Sequence, residues 1–521
     1  MDWKLLPAVG VATVAMLADP ASGAVLRVPL DHATIGAALA VANAGDEVRV
    51  SDAASPYAEQ ITVPDGVRLI GGWDHPGYGA SNPVARPTIV ELPADSTGSV
   101  VGIGTAGPTT LIQNLTIRGG NTFSGGGIFC GTGCAALITN CIIRENRATS
   151  GGGVQVAIGA SPRIEECRFV ANLAIARGGG VNVSAGSDDV AIVHCTFQAC
   201  SSAVNGQSNH GGGAVATASG IRFERNTLRD NWSGSHGGGL YVANANIRAW
   251  GNNFYDNVAE TLDGGGIYHL EGSGTHDGTL VEGCTAGRNG GGIQFEGGTN
   301  KFVRGFLHFN RAPAGLGGGI HFREPVSGAR VEGTEIAGNL ALAGGGVGVS
   351  GTTRASFVDI VSNTIVANVA TGTDGTTPFG GGIQVTGQLV SDPSGGILNN
   401  VVALQLAGSG IYCEGVQASP LVRYSCVYND DAVNTAPEYA GTCTDRCGIS
   451  GNICVDPWLC CTPFCIDAVP PPPDLELTDD SPCRGAGEGG VDMGAHPPSV
   501  TCSTPISVEK ASWGEIKSRY R

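Results

Sequence analysis

Two groups of residues in the 521-residue chain have the types and spacing to do chemistry. The first is Asp188-Asp189 with His210, which follows 21 residues after Asp189. Carboxylates and an imidazole converging on one bond perform general acid–base catalysis, and cleavage of a glycosidic bond calls for two such carboxyls. The second is a set of amide, aromatic and imidazole side chains: Gln155, Asn182, Tyr241, Tyr268, Gln294 and His321. Rings stack on sugar faces, and amides donate and accept hydrogen bonds together, so this set suits a glycan. The same residues have a structural use, because aromatic and amide ladders stabilise the face of a sheet by themselves.

What positions them is a repeat. A triple Gly followed by an apolar residue begins at Gly125, Gly151, Gly178, Gly211, Gly237, Gly264, Gly290, Gly317, Gly344 and Gly380. The differences are 26, 27, 33, 26, 27, 26, 27, 27 and 36. A second column, apolar-x-x-Asn, keeps the same register at Asn146, Asn172, Asn231, Asn257, Asn339 and Asn368. Three consecutive glycines would cost a helix about 3 kcal/mol, which excludes helical repeats. The Leu-x-x-Leu-x-Leu of leucine-rich repeats is absent. Segments such as Val154-Gln-Val156, Leu240-Tyr-Val242 and Ile383-Gln-Val385 alternate with a period of two, as strands do. Short strands broken by Gly and Asn turns predict one coil of a parallel β-helix per repeat. About eleven or twelve coils at ~4.8 Å each make a rod of order 55 Å.

The middle residue of each glycine-led strand is expected to face solvent. Coil by coil it is Phe129, Gln155, Asn182, Val215, Tyr241, Tyr268, Gln294, His321, Gly348, Gln384 and Tyr412. His269 falls in the inward column and reads as a core histidine. Cys141, Cys167, Cys195 and Cys284 are placed five residues before the Asn column, as stacked small residues of the interior.

A solenoid end exposes strand edges and needs a cap. The apolar stripe Ile35, Ala38, Leu39, Ala42 within Thr34–Asn43 predicts an amphipathic helix closing the first coil. The run Thr34-Ile35…Gly45-Asp46…Tyr57…Glu59…Gly71-Gly-Trp73 resembles the opening of secreted right-handed parallel β-helix proteins of the pectate-lyase-like superfamily. The paired apolar-x-x-Asn and Gly-Gly-Gly-Ile motifs resemble polymorphic outer-membrane protein repeats. Asp456-Pro-Trp458 through Asp492-Met-Gly-Ala495 is similar to the closing segment of bacterial surface β-helix proteins. The resemblance implies an all-β fold: a right-handed single-stranded parallel β-helix, exported, with a Cys-rich C-terminal cap. It spreads over lyases, hydrolases and adhesins alike.

Lys4, the apolar run Leu5–Leu17 and the small residues up to Gly23 and Ala24 predict a secretory signal peptide. Thirteen apolar residues are too few to cross a bilayer, which takes about 20, and no later segment qualifies. The expected divisions are a signal peptide (1–24), N-terminal cap and first coils (25–110), repeats (111–440), Cys-rich cap (441–499) and tail (500–521). Export permits disulfides. Eight cysteines lie between Cys443 and Cys502 and read as staples of irregular loops, with zinc at Cys443-x3-Cys447 or Cys461-x3-Cys465 as the other reading. The net charge is −17, an unpromising surface for phosphate backbones, so nucleic acid is not an expected partner.

Asp188-Asp189 with His210 superficially resembles a polygalacturonase pair, but no Asn-Thr-Asp precedes it, no Arg-x-Lys follows, and the aspartates align with a turn. A lyase would need Ca²⁺ among clustered carboxylates, whereas Asp263, Asp277, Asp430 and Asp431 are scattered and read as solvated turns. No other cofactor is implied. The expectation is an exported surface rod or adhesin that takes a polysaccharide or cell-surface glycan. The alternative is a secreted lyase or glycoside hydrolase acting on acidic polysaccharide.

Overall fold

The computed structural model describes residues 23–202, 209–218, 220–356, 358–372, 379–390, 396–415, 420–432, 434–443, 445–459 and 475–495. The leader at Lys4–Leu17, Cys460, Cys461, Cys465, Cys502 and the tail 500–521 lie outside these residues.

The chain winds into four parallel sheets that share one interior. One coil shows the pattern. Leu240–Ala243 lies on a first face, Asn246–Trp250 on a second, Asn253–Tyr255 on a third and Val258–Ala259 on a fourth. Gly264 then opens the next coil. Every strand pairs in parallel with its counterpart one coil on: Leu240 with Ile267, Ile247 with Gly274, Phe254 with Val281, Val258 with Thr285. Among the described residues the four faces hold 14, 15, 14 and 10 strands. The repeat in the sequence is thus the coil itself, and residues one repeat apart are hydrogen-bonded neighbours.

The interior is filled by one side of each strand. Phe169, Phe197, Phe223 and Phe254 are fully buried, and Phe169 stacks on Phe197 with ring centroids 4.6 Å apart. Each such side chain gives about 1.5–3 kcal/mol on leaving water. His269 is also interior, edge-on to His276 and Phe295.

Corners between faces are built from a left-handed residue followed by an inward polar one. Asp230 has φ 56° and precedes Asn231; Asp256 has φ 51° and precedes Asn257. The Asn231 backbone N–H donates to Asn257 Oδ1 at 3.1 Å, and Asn257 Nδ2 donates to the Leu228 carbonyl at 2.9 Å. The asparagines so satisfy groups that the bend removes from the ladder. Cys141, Cys167 and Cys195 occupy the corner five residues earlier, in line with Asn226. Cys284 does not join them. It stands in the Asn column itself, where its N–H donates to Asn310 Oδ1 at 3.0 Å.

The triple glycine is needed for close approach. A Cβ at Gly153 would sit 2.5 Å from the Gly180 carbonyl oxygen of the next coil, and Gly237 holds φ +64° directly beside Leu240 and Tyr241. Only Gly tolerates both demands.

At the N-terminus the capping helix is shorter than the stripe predicts, Ile35–Leu39, with Ile35, Ala38 and Leu39 buried. Thr34 caps it, and the Glu59 carboxylate accepts from the Ile35 and Gly36 N–H groups at 2.9 and 2.8 Å. At the other end, disulfides join Cys413 to Cys443 and Cys447 to Cys454. Zinc at Cys443-x3-Cys447 is therefore replaced by two disulfides, one reaching back to Cys413 in the last coils. The closing segment lies along the side of the rod. Leu475, Leu477, Cys483 and Met493 pack on Val366, Val401, Ala403 and Cys426 of the third face. The Ala495 N–H donates to Thr364 Oγ1 at 3.0 Å. Among the described residues no helix is long and apolar enough to cross a membrane.

Candidate functional site

The first face carries the polar column that the repeat predicts. Gln155 pairs with Asn182, Asn182 with Val215, Val215 with Tyr241, Tyr241 with Tyr268, Tyr268 with Gln294 and Gln294 with His321. These side chains leave the sheet on the side opposite the interior. They do not, however, face open solvent. Tyr241 is 8% exposed, Asn182 7%, His321 1% and Gln294 0%.

The cover comes from the residue just before each triple glycine. The left-handed first glycine folds that residue over the column. His210 stacks on Tyr241 at 4.4 Å, and His236 lies tilted over Tyr268 at 4.3 Å. Bridges join Arg177 to His210 and His210 to His236, so these residues form a second column beside the first. It continues in Asp263 and Asn289, whose N–H and Nδ2 both donate to Asp263 Oδ1 at 3.0 Å. The signal for this column was present in the sequence as polar residues directly preceding the glycines.

Much of the predicted polar set is spent internally. Asn182 Nδ2 donates to Gln155 Oε1 at 2.9 Å, and Gln155 Nε2 donates to Ser184 Oγ at 2.9 Å. His321 Nδ1 donates to Gln294 Oε1 at 2.7 Å, and its Nε2 lies 2.9 Å from Ser350 Oγ, placed to accept. Tyr268 donates to Glu296 at 2.8 Å, and Arg323 pairs with the same carboxylate at 3.3 Å.

Burial decides the charge states. It pushes the His210 imidazole down to about 4, aided by its neighbours His236 and Arg177, and the His321 imidazole to about 3. His236 is lowered too, again chiefly by burial, although Asp263 opposes the shift. These rings are therefore neutral near pH 7. Burial alone would raise the Asp263 carboxyl, but hydrogen bonds and charge from Arg288 hold it below the ordinary range. Asp263 is only 1% exposed and locked to Arg288, which corrects its reading as a solvated turn. Asp277 is likewise ion-paired, to Arg304.

Asp188 and Asp189 are exposed at the corner between the first and second faces, while His210 lies in the covering column. No hydrogen bond or ion pair joins them, and burial, His236 and Arg177 account for the state of His210. The structure does not bring this trio together.

One part of the column stays open. A cleft of about 410 Å³ is lined by Arg177, Asn182, Ser184, Thr217, Tyr241 and Asn244, with Ala185, Ala243 and Leu270 as its apolar contribution. Its volume lies in the range of small-ligand sites. It offers an exposed guanidinium, amides, hydroxyls and one aromatic ring to a single occupant. Of the six predicted ligand residues, Asn182 and Tyr241 line it; Gln155, Tyr268, Gln294 and His321 do not.

Residues 96–258 match a family model described as right handed beta helix region. None of the curated proteins matches the chain. A solved structure similar to it is the tailspike protein of E. coli bacteriophage HK620 in complex with pentasaccharide, at 11% identity and a TM-score of 0.29, covering 76% of this chain and 67% of that one. So slight a likeness does not bear on ligand or activity. The family match and the four in-register parallel faces together identify the chain as a right-handed parallel β-helix.

Proposed function

We propose that the chain is an exported surface rod that binds a glycan in the first-face cleft without turning it over. The observation that carries this reading is the cleft lining: Arg177, Asn182, Ser184, Thr217 and Asn244 around Tyr241. A sugar presents hydroxyls that both donate and accept, which the amides, hydroxyls and guanidinium of the cleft meet, while the Tyr241 ring, stacked between His210 and Tyr268, offers its edge. The cleft lining contains no carboxylate, whereas acid–base cleavage of a glycosidic bond uses two, and this supports binding over cleavage. Export is supported by Lys4, the Leu5–Leu17 run and the small residues before Val25.

The test is a glycan array probed with the wild type and with Arg177→Ala and Asn182→Ala. The reading expects at least one glycan retained by the wild type and lost by both variants. Retention unchanged in both variants would overturn it. New absorbance at 235 nm, or new reducing ends on polygalacturonate or alginate, would overturn the non-catalytic part and favour the lyase or hydrolase alternative.

A further inference from the structure

The second face carries a different feature. Its outward residues form two adjacent columns, fixed by strand register. One reads Arg163, Ala191, Arg222, Arg248, Thr275, Lys301, Arg330; the other reads Glu165, Val193, Glu224, Trp250, Asp277, Val303, Glu332. Where both members are charged they neutralise each other within one strand: Arg163 pairs with Glu165, Arg222 with Glu224, Arg330 with Glu332. Two coils carry the cation without its acid. Trp250 stands where an acid would neutralise Arg248, and Val303 stands where one would neutralise Lys301. Among the described residues neither cation has a carboxylate partner, and both are exposed.

Trp250 is 44% exposed, an unusual state for an indole on a sheet face. Arg225, at the corner of the preceding coil, lies over the ring with its guanidinium carbon 4.3 Å from the centroid. The corresponding corner positions in the next two coils are Gly251 and Gly278, and the indole nitrogen is 3.9 Å from where a Gly278 Cβ would stand. The glycines leave floor space beside the ring.

We infer that Trp250, with Arg225, Arg248 and Lys301, forms a binding patch for an anionic glycan lying along the rod. The ring supplies a stacking surface for an apolar sugar face. Arg248 and Lys301 stand two coils apart, about 9.6 Å along the axis, and supply spaced positive charge. That spacing suits a polymer with one carboxylate per two sugars. Duplex nucleic acid carries one charge per about 1.7 Å and would meet Glu224, Asp277 and Glu332 as well as the net charge of −17. The patch is on a different face from the cleft and does not depend on it.

The experiment is surface retention of the full chain on hyaluronan, neutral dextran and single-stranded poly(dT), at two salt concentrations. The variants are Trp250→Ala, Arg248→Gln and Lys301→Gln, all at exposed positions, with the exposed third-face Arg168→Gln as the control and Arg177→Ala as the cleft variant. The patch predicts salt-sensitive binding to hyaluronan and none to dextran. Each patch variant should weaken binding about five-fold or more, and Arg168→Gln should leave it unchanged. No hyaluronan binding, or binding indifferent to all three patch variants, would overturn the inference. So would poly(dT) binding as tight as hyaluronan, which would reassign the patch to phosphates. Loss in Arg177→Ala alone would place the anionic ligand in the cleft and leave the second face without one.

Discussion

Replacing Asn257 tests how the coils are held together. Its Oδ1 accepts from the Asn231 backbone N–H at 3.1 Å and from Asn231 Nδ2 at 2.9 Å, while its Nδ2 donates to the Leu228 carbonyl at 2.9 Å. Asn257→Ala strands one buried N–H and one buried carbonyl. Asn231 Nδ2 keeps its bond to the Phe197 carbonyl at 3.1 Å. At about 1–3 kcal/mol for each stranded group, the cost is roughly 2–6 kcal/mol. The chain contains its own control. Cys200 and Cys284 stand in the same column, and the preceding Asn172 and Asn257 donate to their sulfurs at 3.9 and 3.8 Å. Sulfur is a weak acceptor, so Asn257→Cys should cost less than Asn257→Ala. Cys284→Asn should stabilise by about 1 kcal/mol, the net worth of an added hydrogen bond. Stacked repeats need not unfold in one step, so the assay is native-state hydrogen exchange, comparing amides of coils at 226–260 with those at 320–350. A loss below about 0.5 kcal/mol for Asn257→Ala, typical of surface substitutions, would refute the reasoning. Equal losses for Ala and Cys would refute the acceptor argument.

Three further outcomes are expected. Gly239→Ala places a Cβ 2.8 Å from both the Gly266 carbonyl oxygen and the Phe254 ring, and should cost several kcal/mol by overpacking, measured by urea denaturation. His276 and His269 are held by burial at about 3 and 4, below the ordinary value near 6.5. The unfolded chain therefore takes up protons that the folded chain refuses. Stability should be full above pH 6.5 and fall as pH drops toward 4, by roughly 2–3 kcal/mol per such imidazole. His276→Phe should reduce that slope in pH-dependent melting, and an unchanged slope would contradict it. Reducing Cys413–Cys443, which spans 30 residues, should loosen the last coils by about 2–4 kcal/mol while the coils near Tyr241 keep their exchange protection.

The solenoid was legible because like residues stack on like. An alignment of the chain with itself is already a list of inter-coil neighbours, which is why the column from Phe129 to Tyr412 emerges in its observed register. What lies beside a column within one coil is not encoded that way. The fourth face is made of strands as short as Trp232–Ser233 and Val258–Ala259, too brief to show alternation, and it is the approach to the next glycines that covers the column. Hence the stripe was expected to be open, and the ring contacts of His210 with Tyr241 and His236 with Tyr268 were not foreseen. Cys284 was misplaced by one corner because two inward columns lie five residues apart and both admit Cys. The closing segment has no period, so its return along the third face, and the pairing of Cys443 with Cys413, left no trace in the spacing. The unpaired cations around Trp250 were written in the sequence, but the pairing that makes them exceptional shows only in the ion pairs of their neighbours.

The most direct measurement is a crystal structure of the chain with the oligosaccharide that the array retains most tightly. Sugar density in the first-face cleft, with hydroxyls on Asn182, Ser184 and Asn244 beside the edge of Tyr241, is the predicted result. Sugar bound elsewhere with that cleft empty, at saturating ligand, would contradict it.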